Sequence, residues 1–420
     1  MTLEDCIGYA LKLNPNVKAL KLKVDKAETY VNEISSMFYP KIGFNASYTR
    51  LSDVPDFQIS VPIFPTPITV QESVLNNFNL KLGFTQPLFT GFKLSSMKNA
   101  SKYKVESEDY NSKAETNKIV FQVIDAFYSA LKAGDIYSLL RKYSEALEAH
   151  LADTKAFLDN GLVTYNDYLK IELELARLEQ KKIDAGYNYN LARNRLGLLT
   201  GMGVMPHIRL VEEEYQDTLE IKLIPAQLIR HAKENRYELL GLQQAGFAAD
   251  EMIEAGKSEY YPSVYLFGNL HYNNPNQRYM PVEDKFNESW DAGVSFQWEI
   301  WNWGGTSSRV KQAAFDKEIL NQNKKYLTEV IENEIYAAFI SHQSKADIVK
   351  LNKEAVKSAT ENYRLMKVRY SQQLATSAEL IDAETMLLDA EINLSIARKE
   401  VIVAERKLKL AAGYKLYKGE

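Results

Sequence analysis

Two carboxylates, Glu379 and Asp382 in "TSAELIDAETMLLDAE", lie three residues apart. On a helix that spacing puts both on one face. Like charges held so close attract cations and raise one another's pKa. On spacing alone, the commoner outcome is a solvated charged face. The other reactive side chains form no constellation. The five histidines (150, 207, 231, 271 and 342) are scattered without metal-ligand spacing. "GMGVMP" follows a helical stretch and opens into proline, unlike a phosphate loop. No nucleophile elbow occurs. The single Cys6 has no intrachain disulfide partner and no ligand set beside it. These residues predict no enzyme, no cofactor and no bound metal.

Composition narrows the class. Hydrophobic content of 45% and charged content of 25% are those of an ordinary folded chain. A net charge of −4 leaves no electrostatic footprint for nucleic acid. No apolar run is long enough for a membrane-spanning helix. The start "MTLEDCIGYAL" reads at once as an amphipathic helix, which fits either a cytosolic protein or one whose leader has been removed. Asn-X-Ser sequons at 45, 287 and 393 carry little weight.

The elements that must position any such site are duplicated. "EISSMFYPKIGFNASYTR" (33–50) returns as "EAGKSEYYPSVYLFGNLHY" (254–272), aligning Pro40 with Pro262. "GLVTYNDYLKIELELARLEQ" (161–180) returns as "QLATSAELIDAETMLLDAEI" (373–392), and Gly201 aligns with Gly413. Each copy reads helix, strand, loop, strand, long helix, turn, helix. The first copy holds opening helices (1–38), a strand pair (39–90) with a loop at 52–75, then a long helix, turn and return helix (91–201). A linker (202–224) leads to the second copy: opening helices (225–260), a strand pair (261–302) with a loop at 273–289, and the helical remainder (303–420). The opening helices are read as 3–37 and 225–258. Four prolines in "SDVPDFQISVPIFPTPITVQES" exclude helix there and make a central strand unfavourable. The long helices lack proline over scores of residues and, at ~1.5 Å per residue, would run on the order of 100 Å. They are Ala-rich and bury a seam as coiled coils do.

The strands alternate. Ile42, Phe44, Ala46 and Tyr48 oppose Gly43, Asn45, Ser47 and Thr49. Phe78, Leu80, Leu82 and Phe84 oppose Asn79, Lys81, Gly83 and Thr85. Trp290, Ala292, Val294, Phe296 and Trp298 oppose Asp291, Gly293, Ser295, Gln297 and Glu299. The strand at 264–272 reads less cleanly, with Tyr265 and Phe267 joining its apolar residues and only Asn269 and His271 polar. Four such strands cannot close a barrel alone, and their edges invite pairing. With lipid on the apolar side and water on the other, several chains must share one transmembrane barrel of two, three or four copies. Asn45, Lys81, Asp291 and Gln297 would then face its lumen. Every strand–helix junction is aromatic: Phe38 and Tyr39, Phe89 and Phe92, Tyr260 and Tyr261, and Trp298, Trp301 and Trp303. Such rings favour the headgroup level, so a girdle on the helix side of a membrane is expected, including Tyr39, Phe89, Tyr261, Trp298, Trp301 and Trp303. Gly91, Gly304 and Gly305 would provide the sharp exits into the helices. At the turns, Gly161 is a helix C-cap and Thr164 an N-cap. The competing class is a soluble coiled-coil scaffold or adaptor whose strand pairs dock a partner sheet.

The start "TLEDCIGYALKLNPNVKAL", the phrases "TQPLFTGFK" and "FQWEIWNWGG", the turns "NGLVTYNDYL" and "QLATSAELIDAE", and the ends "LLTG" and "LAAG" together resemble the TolC-like outer-membrane efflux proteins, over essentially the whole chain. The resemblance implies an α+β membrane protein: a homotrimer with a twelve-stranded outer-membrane β-barrel continued by a twelve-helix periplasmic α-barrel. It implies a passive exit duct for multidrug efflux or type I secretion, embedded in outer-membrane lipid. The implied partners are a periplasmic adaptor (membrane fusion protein) and an inner-membrane pump or ABC transporter. It implies that Met1 replaces a removed leader and that Cys6, lacking a lipobox, is a helix residue. It makes Gly161, Leu162, Val163 and Thr164, with Leu374, Ala375 and Thr376, the adaptor-contacting tips. Glu379 and Asp382 align with the family's selectivity constriction, and Asp167 and Tyr370 with its closing network. The family's tip arginine falls at Ala375, which leaves Arg369 or Arg364 as the candidates to replace it.

Overall fold

A computed structural model describes residues 1–63, 65–204, 209–212, 224–372 and 374–417. Most of the expected linker 202–224 lies outside the described residues. The helices are α1 (Leu3–Leu13), α2 (Pro15–Ser36), α3 (Lys93–Asp159), α4 (Tyr165–Thr200), α5 (Pro225–Asn235), α6 (Tyr237–Lys257), α7 (Gly305–Ser371) and α8 (Ser377–Ala411). The strands are β1 (Lys41–Arg50), β2 (Phe57–Ile59), β3 (Ile68–Gln71), β4 (Asn76–Phe89), β5 (Ser263–Asn274) and β6 (Asn287–Gln297). The chain forms two compact units. One comprises Met1–Val24, Glu108–Leu242 and Asn323–Glu420, the other Asp25–Ser107 and Gln243–Gln322. Each unit takes equivalent segments from both copies of the repeat.

The helical unit is built on two equivalent cores. Cys6, Ile7 and Ala10 of α1 pack on Val120, Val123, Ile124 and Phe127 of α3 and Leu196 of α4. Leu228 and Ala232 of α5 pack on Ile331, Ile335 and Ala338 of α7 and Leu408 of α8. Each fully buried large aliphatic or aromatic side chain contributes roughly 1.5–3 kcal/mol. Cys6 is wholly enclosed, and burial pushes its thiol up to about 12, so it is a core residue. A third cluster joins Tyr143 and Leu147 of α3, Ile171 and Leu178 of α4, and Leu387 and Leu388 of α8.

The opening helices differ from expectation, because each is broken into two. The first breaks at Asn14, whose backbone is extended before Pro15, a residue with no N–H to continue the ladder. The second breaks at Arg236, also extended. Both breaks are tied to the end of a return helix. Asn14 Nδ2 donates to the Leu199 carbonyl at 2.6 Å, and Arg236 Nη1 donates to the equivalent Ala411 carbonyl at 2.9 Å. This explains the two terminal glycines. Gly201 and Gly413 have φ of +75° and +83°, and a Cβ on either would press into the break, 2.8 Å from the Leu13 carbonyl carbon or 3.2 Å from the Arg236 nitrogen.

In the other unit, β1, β4, β5 and β6 form one antiparallel sheet in that order, while β2 and β3 form a separate hairpin. The proline-rich segment expected to be loop thus contains two short strands, with Pro55, Pro62, Pro65 and Pro67 outside both. Pro87 falls inside β4 beside a register shift, where a missing ladder donor is tolerated. The irregularity in residue type expected of β5 is found, and register assigns its faces. Register pairs Leu82 with Leu270 and Leu270 with Trp290, while Thr85 pairs with Phe267 and Phe267 with Gly293. Alternation in β5 is therefore strict, with Tyr265 and Phe267 on the polar face. Phe267 lies over Gly293, which supplies the space. β6 ends at Gln297, so Trp298 and Glu299 lie beyond the ladder.

Candidate functional site

The two turns of the helical unit share the same hydrogen bonds among their described residues. Between α3 and α4, Gly161 is left-handed (φ 71°) and the Leu162 amide donates to the Phe157 carbonyl at 2.9 Å. Between α7 and α8, the Leu374 amide donates to the Arg369 carbonyl at 2.8 Å. Each return helix then opens with a reciprocal capping box. The Asp167 amide donates to Thr164 Oγ1 at 3.2 Å, and the Thr164 amide to Asp167 Oδ2 at 3.3 Å. The Glu379 amide donates to Thr376 Oγ1 at 3.3 Å, and the Thr376 amide to Glu379 Oε2 at 2.7 Å. Leu162 and Leu374 are 62% and 63% exposed, so each turn offers solvent one large apolar side chain. Val163 and Ala375 are half-buried beside them.

This geometry changes the electrostatic expectation for the acidic pair. Glu379 and Asp382 are both exposed near the start of α8. The Glu379 carboxyl, however, is held below its usual range, first by the Thr376 amide and then by the Thr376 hydroxyl. A raised value was expected from the neighbouring acid, but capping dominates within one chain. Asp167 is likewise held low, first by the Thr164 hydroxyl. Among the described residues, the acid whose carboxyl is pushed up is Glu384, by burial. Sequence reading passed over it, although a glutamate between buried Ala383 and Leu387 is a polar residue in the apolar phase of a helix.

Asp167 and Tyr370 are not joined by a hydrogen bond among the described residues. Asp167 stays with Thr164, while the Tyr370 hydroxyl accepts from Ser377 Oγ at 3.2 Å and its ring meets His150 edge-on at 5.1 Å. Within the chain the two candidate arginines bind close by. Arg369 Nη2 donates to the Leu374 carbonyl at 3.2 Å, within its own turn. Arg364 binds Glu361 with two bonds of 2.8 and 2.7 Å.

At the strand–helix junctions the aromatics meet one another. Phe92 sits edge-on to Phe89 at 5.4 Å and to Tyr261 at 6.2 Å, and Trp301 is edge-on to Trp303 at 5.8 Å. Trp298 Nε1 donates to the Tyr260 carbonyl at 3.2 Å. Tyr39 is exposed, and Trp303 is 89% exposed. Both exits into the long helices use two consecutive left-handed residues, Gly91–Phe92 and Trp303–Gly304. Glycine fills the first place in one copy and the second in the other. The ring-bearing partner carries a strain of ~1–2 kcal/mol. Gly305, expected to share this role, begins α7 without a positive φ.

A second aromatic row at the far end of the sheet escaped sequence reading. Tyr48 and Phe78 lie 4.8 Å apart, Phe78 and Phe286 5.6 Å, and Tyr272 and Phe286 5.1 Å. At ~3.4 Å per residue, the stretch from Tyr39 to Tyr48 covers roughly 30 Å. Between the rows, Ile42, Phe44, Leu82, Leu270, Trp290 and Val294 are all exposed on one face. Among the described residues, no helix is long and apolar enough to cross a membrane, and no group of acids, histidines or cysteine could hold a metal.

Comparison with known proteins meets this geometry. The family described as "Outer membrane efflux protein" matches residues 6–202 and again 228–414, once per copy of the repeat. The outer membrane protein TolC of Salmonella enteritidis is 21% identical over 405 residues, covering 95% of this chain and 79% of that protein. The alkaline protease secretion protein AprF of Pseudomonas aeruginosa is 20% identical over 342 residues, covering 79% of this chain and 69% of that protein. A solved structure of CusC, described in terms of transmembrane channel formation, superposes with a TM-score of 0.77 at 16% identity, covering 98% of this chain and 92% of CusC.

Proposed function

The chain belongs to the outer membrane efflux protein family, and from that premise we propose how its one-faced sheet and paired turns serve an exit duct. It is the outer-membrane channel component of a Gram-negative efflux or type I secretion system. A soluble scaffold is not favoured.

One observation carries the reading of its assembly: a four-stranded sheet with an exposed apolar face and, among the described residues, no outer neighbour to strands β1 and β6. In hydrocarbon every backbone donor and acceptor needs a partner, so open edges are excluded there. Pairing β1 of one copy with β6 of the next removes them. Three copies give twelve strands, and their long helices give a twelve-helix tunnel. The two aromatic rows then bound the apolar band, whose usual height is ~25 Å. The polar face lines water.

At the tunnel's tips, Leu162 and Leu374, with Gly161, Val163, Thr164, Ala375 and Thr376, form the surface for a periplasmic adaptor that couples the duct to an inner-membrane pump or ABC transporter. Glu379 and Asp382 from three copies form the constriction that selects cations. Asp167 and Tyr370 act from within the turns, Asp167 fixing the first cap and Tyr370 fastening α8 through Ser377. The duct is passive and catalyses nothing.

Reconstitution into planar bilayers tests this. Discrete conductance steps are expected, together with a disulfide ladder ending at three copies when cysteines are placed on β1 and β6. A monodisperse particle in detergent-free buffer that never conducts would overturn the reading.

A further inference from the structure

On the polar side of the sheet unit, three lysines make no close ion pair among the described residues, Lys93 reaching Glu259 only through space, while each acid there accepts at least one hydrogen bond. Register puts Lys41 opposite Thr85, and Lys81 opposite both Asn45 and His271, all on the polar face. Lys93 and Lys41 line one open cavity of about 1200 Å³ at the inner end of the sheet, with Thr85, Gln297, Glu259 and Glu299. Among the described residues, none of the three lysines has a carboxylate within 4.0 Å.

The acids differ. Asp291 accepts from His271 Nε2 and from Asn269 Nδ2, each at 2.7 Å, with Arg278 Nη2 at 3.8 Å. Glu259 accepts from Arg309 Nε at 2.8 Å and from Thr306 Oγ1 at 3.2 Å. Glu299 accepts from Asn302 Nδ2 at 3.3 Å. The imbalance lies in availability. A mobile anion finds three uncommitted ammonium groups. A mobile cation finds Asp291 with donors on both oxygens, and Glu259 and Glu299 with donors on one oxygen each.

We propose that Lys41, Lys81 and Lys93 make the barrel a second filter, one that favours small anions and carboxylate- or phosphate-bearing cargo. The inference rests on the channel reading above, with the polar face turned to water. Closing several copies into a ring would multiply each lysine around the axis. Charged rings of this kind set ion preference in pores. An ion crossing the whole duct meets this filter as well as the acidic one at the tips, and the two have opposite sign. Lys81 is the central member, because its strand neighbours at the same level are Asn45 and His271 rather than acids.

The test is the zero-current potential of the full chain in planar bilayers under a KCl gradient. It is measured for wild type, for Glu379→Ala with Asp382→Ala, and for that pair carrying Lys41→Gln, Lys81→Gln and Lys93→Gln. Relaxing the tips is expected to move the preference toward chloride, and the three glutamines to move it back by a ratio on the order of threefold. The corresponding arginine triple should keep the chloride preference. Normal pores whose potential ignores the glutamines overturn the inference and leave the channel reading intact. Absence of pores in wild type overturns the channel reading and this inference with it. Should the triple fail to insert, Lys81→Gln against Lys81→Arg decides on the same readout.

Discussion

The first and second turns share their flanking hydrogen bonds and differ in charge. Leu162 and Leu374 make equivalent bonds to Phe157 and Arg369, and Thr164–Asp167 and Thr376–Glu379 make the same capping box. One turn into each return helix the copies diverge, with Lys170 where the second copy has Asp382. Just before the turns, Phe157 and Leu158 stand where the second copy has Arg369 and Tyr370. Duplication preserved what the turn needs to form, and substitution placed Arg369, Tyr370 and Asp382 where the first copy has Phe157, Leu158 and Lys170. Glu379 therefore serves two ends. Its Oε2 caps a helix as Asp167 does, and only Asp382 beside it makes its position an acidic site.

Changes that erase or deepen this contrast test it. The largest effect is expected from Glu379→Ala with Asp382→Ala, which should weaken block of single-channel current by a trivalent cation about tenfold, equivalent to ~1.4 kcal/mol. Asp167→Ala should leave block nearly unchanged. Equal loss from both would deny the second turn any special role. Next, Lys170→Asp makes the first turn resemble the second and should strengthen the same block severalfold. No change would place residue 170 away from the ion path.

Smaller, and equal at the two turns, is the effect of Thr164→Ala or Thr376→Ala. Each should cost about 1 kcal/mol of local stability, read from amide exchange in the first turn of α4 or α8. A cost confined to one turn would break the equivalence. The smallest effect is on pH. Both capping carboxyls have folded values below their ordinary 3.8 and 4.5. Their stabilisation is complete above the ordinary values and disappears as pH falls through the lowered ones. Amide exchange at Asp167 and Glu379 should therefore stay protected to pH values below those ordinary for each acid. Loss of protection already at pH 5 to 6 would contradict this.

Much of the architecture could be read in the chain because its signals are local. Period-two alternation in residues 42–49 and 290–296 needs only neighbours in sequence, as does the Thr-to-acid spacing of a capping box. The breaks at Asn14 and Arg236 were not legible, because they depend on carbonyls at Leu199 and Ala411 that only folding brings near. The face of Phe267 was hidden for the same reason, since Gly293 on the next strand makes its room. So was the outer aromatic row, where Tyr48, Phe78, Tyr272 and Phe286 come from three strands and a loop.

By itself the sequence determined the duplication, the long helices and the four main strands, the inner aromatic junctions and the turn chemistry, since each follows from residue spacing along the chain. Only the tertiary structure decided which side every β5 residue faces, where the opening helices break, and which charges remain free. Those outcomes depend on contacts between residues far apart in the chain. A lysine and a glutamate look equally available in a list of letters. Hydrogen-bond geometry shows that Asp291 and Glu259 are occupied and Lys81 is not.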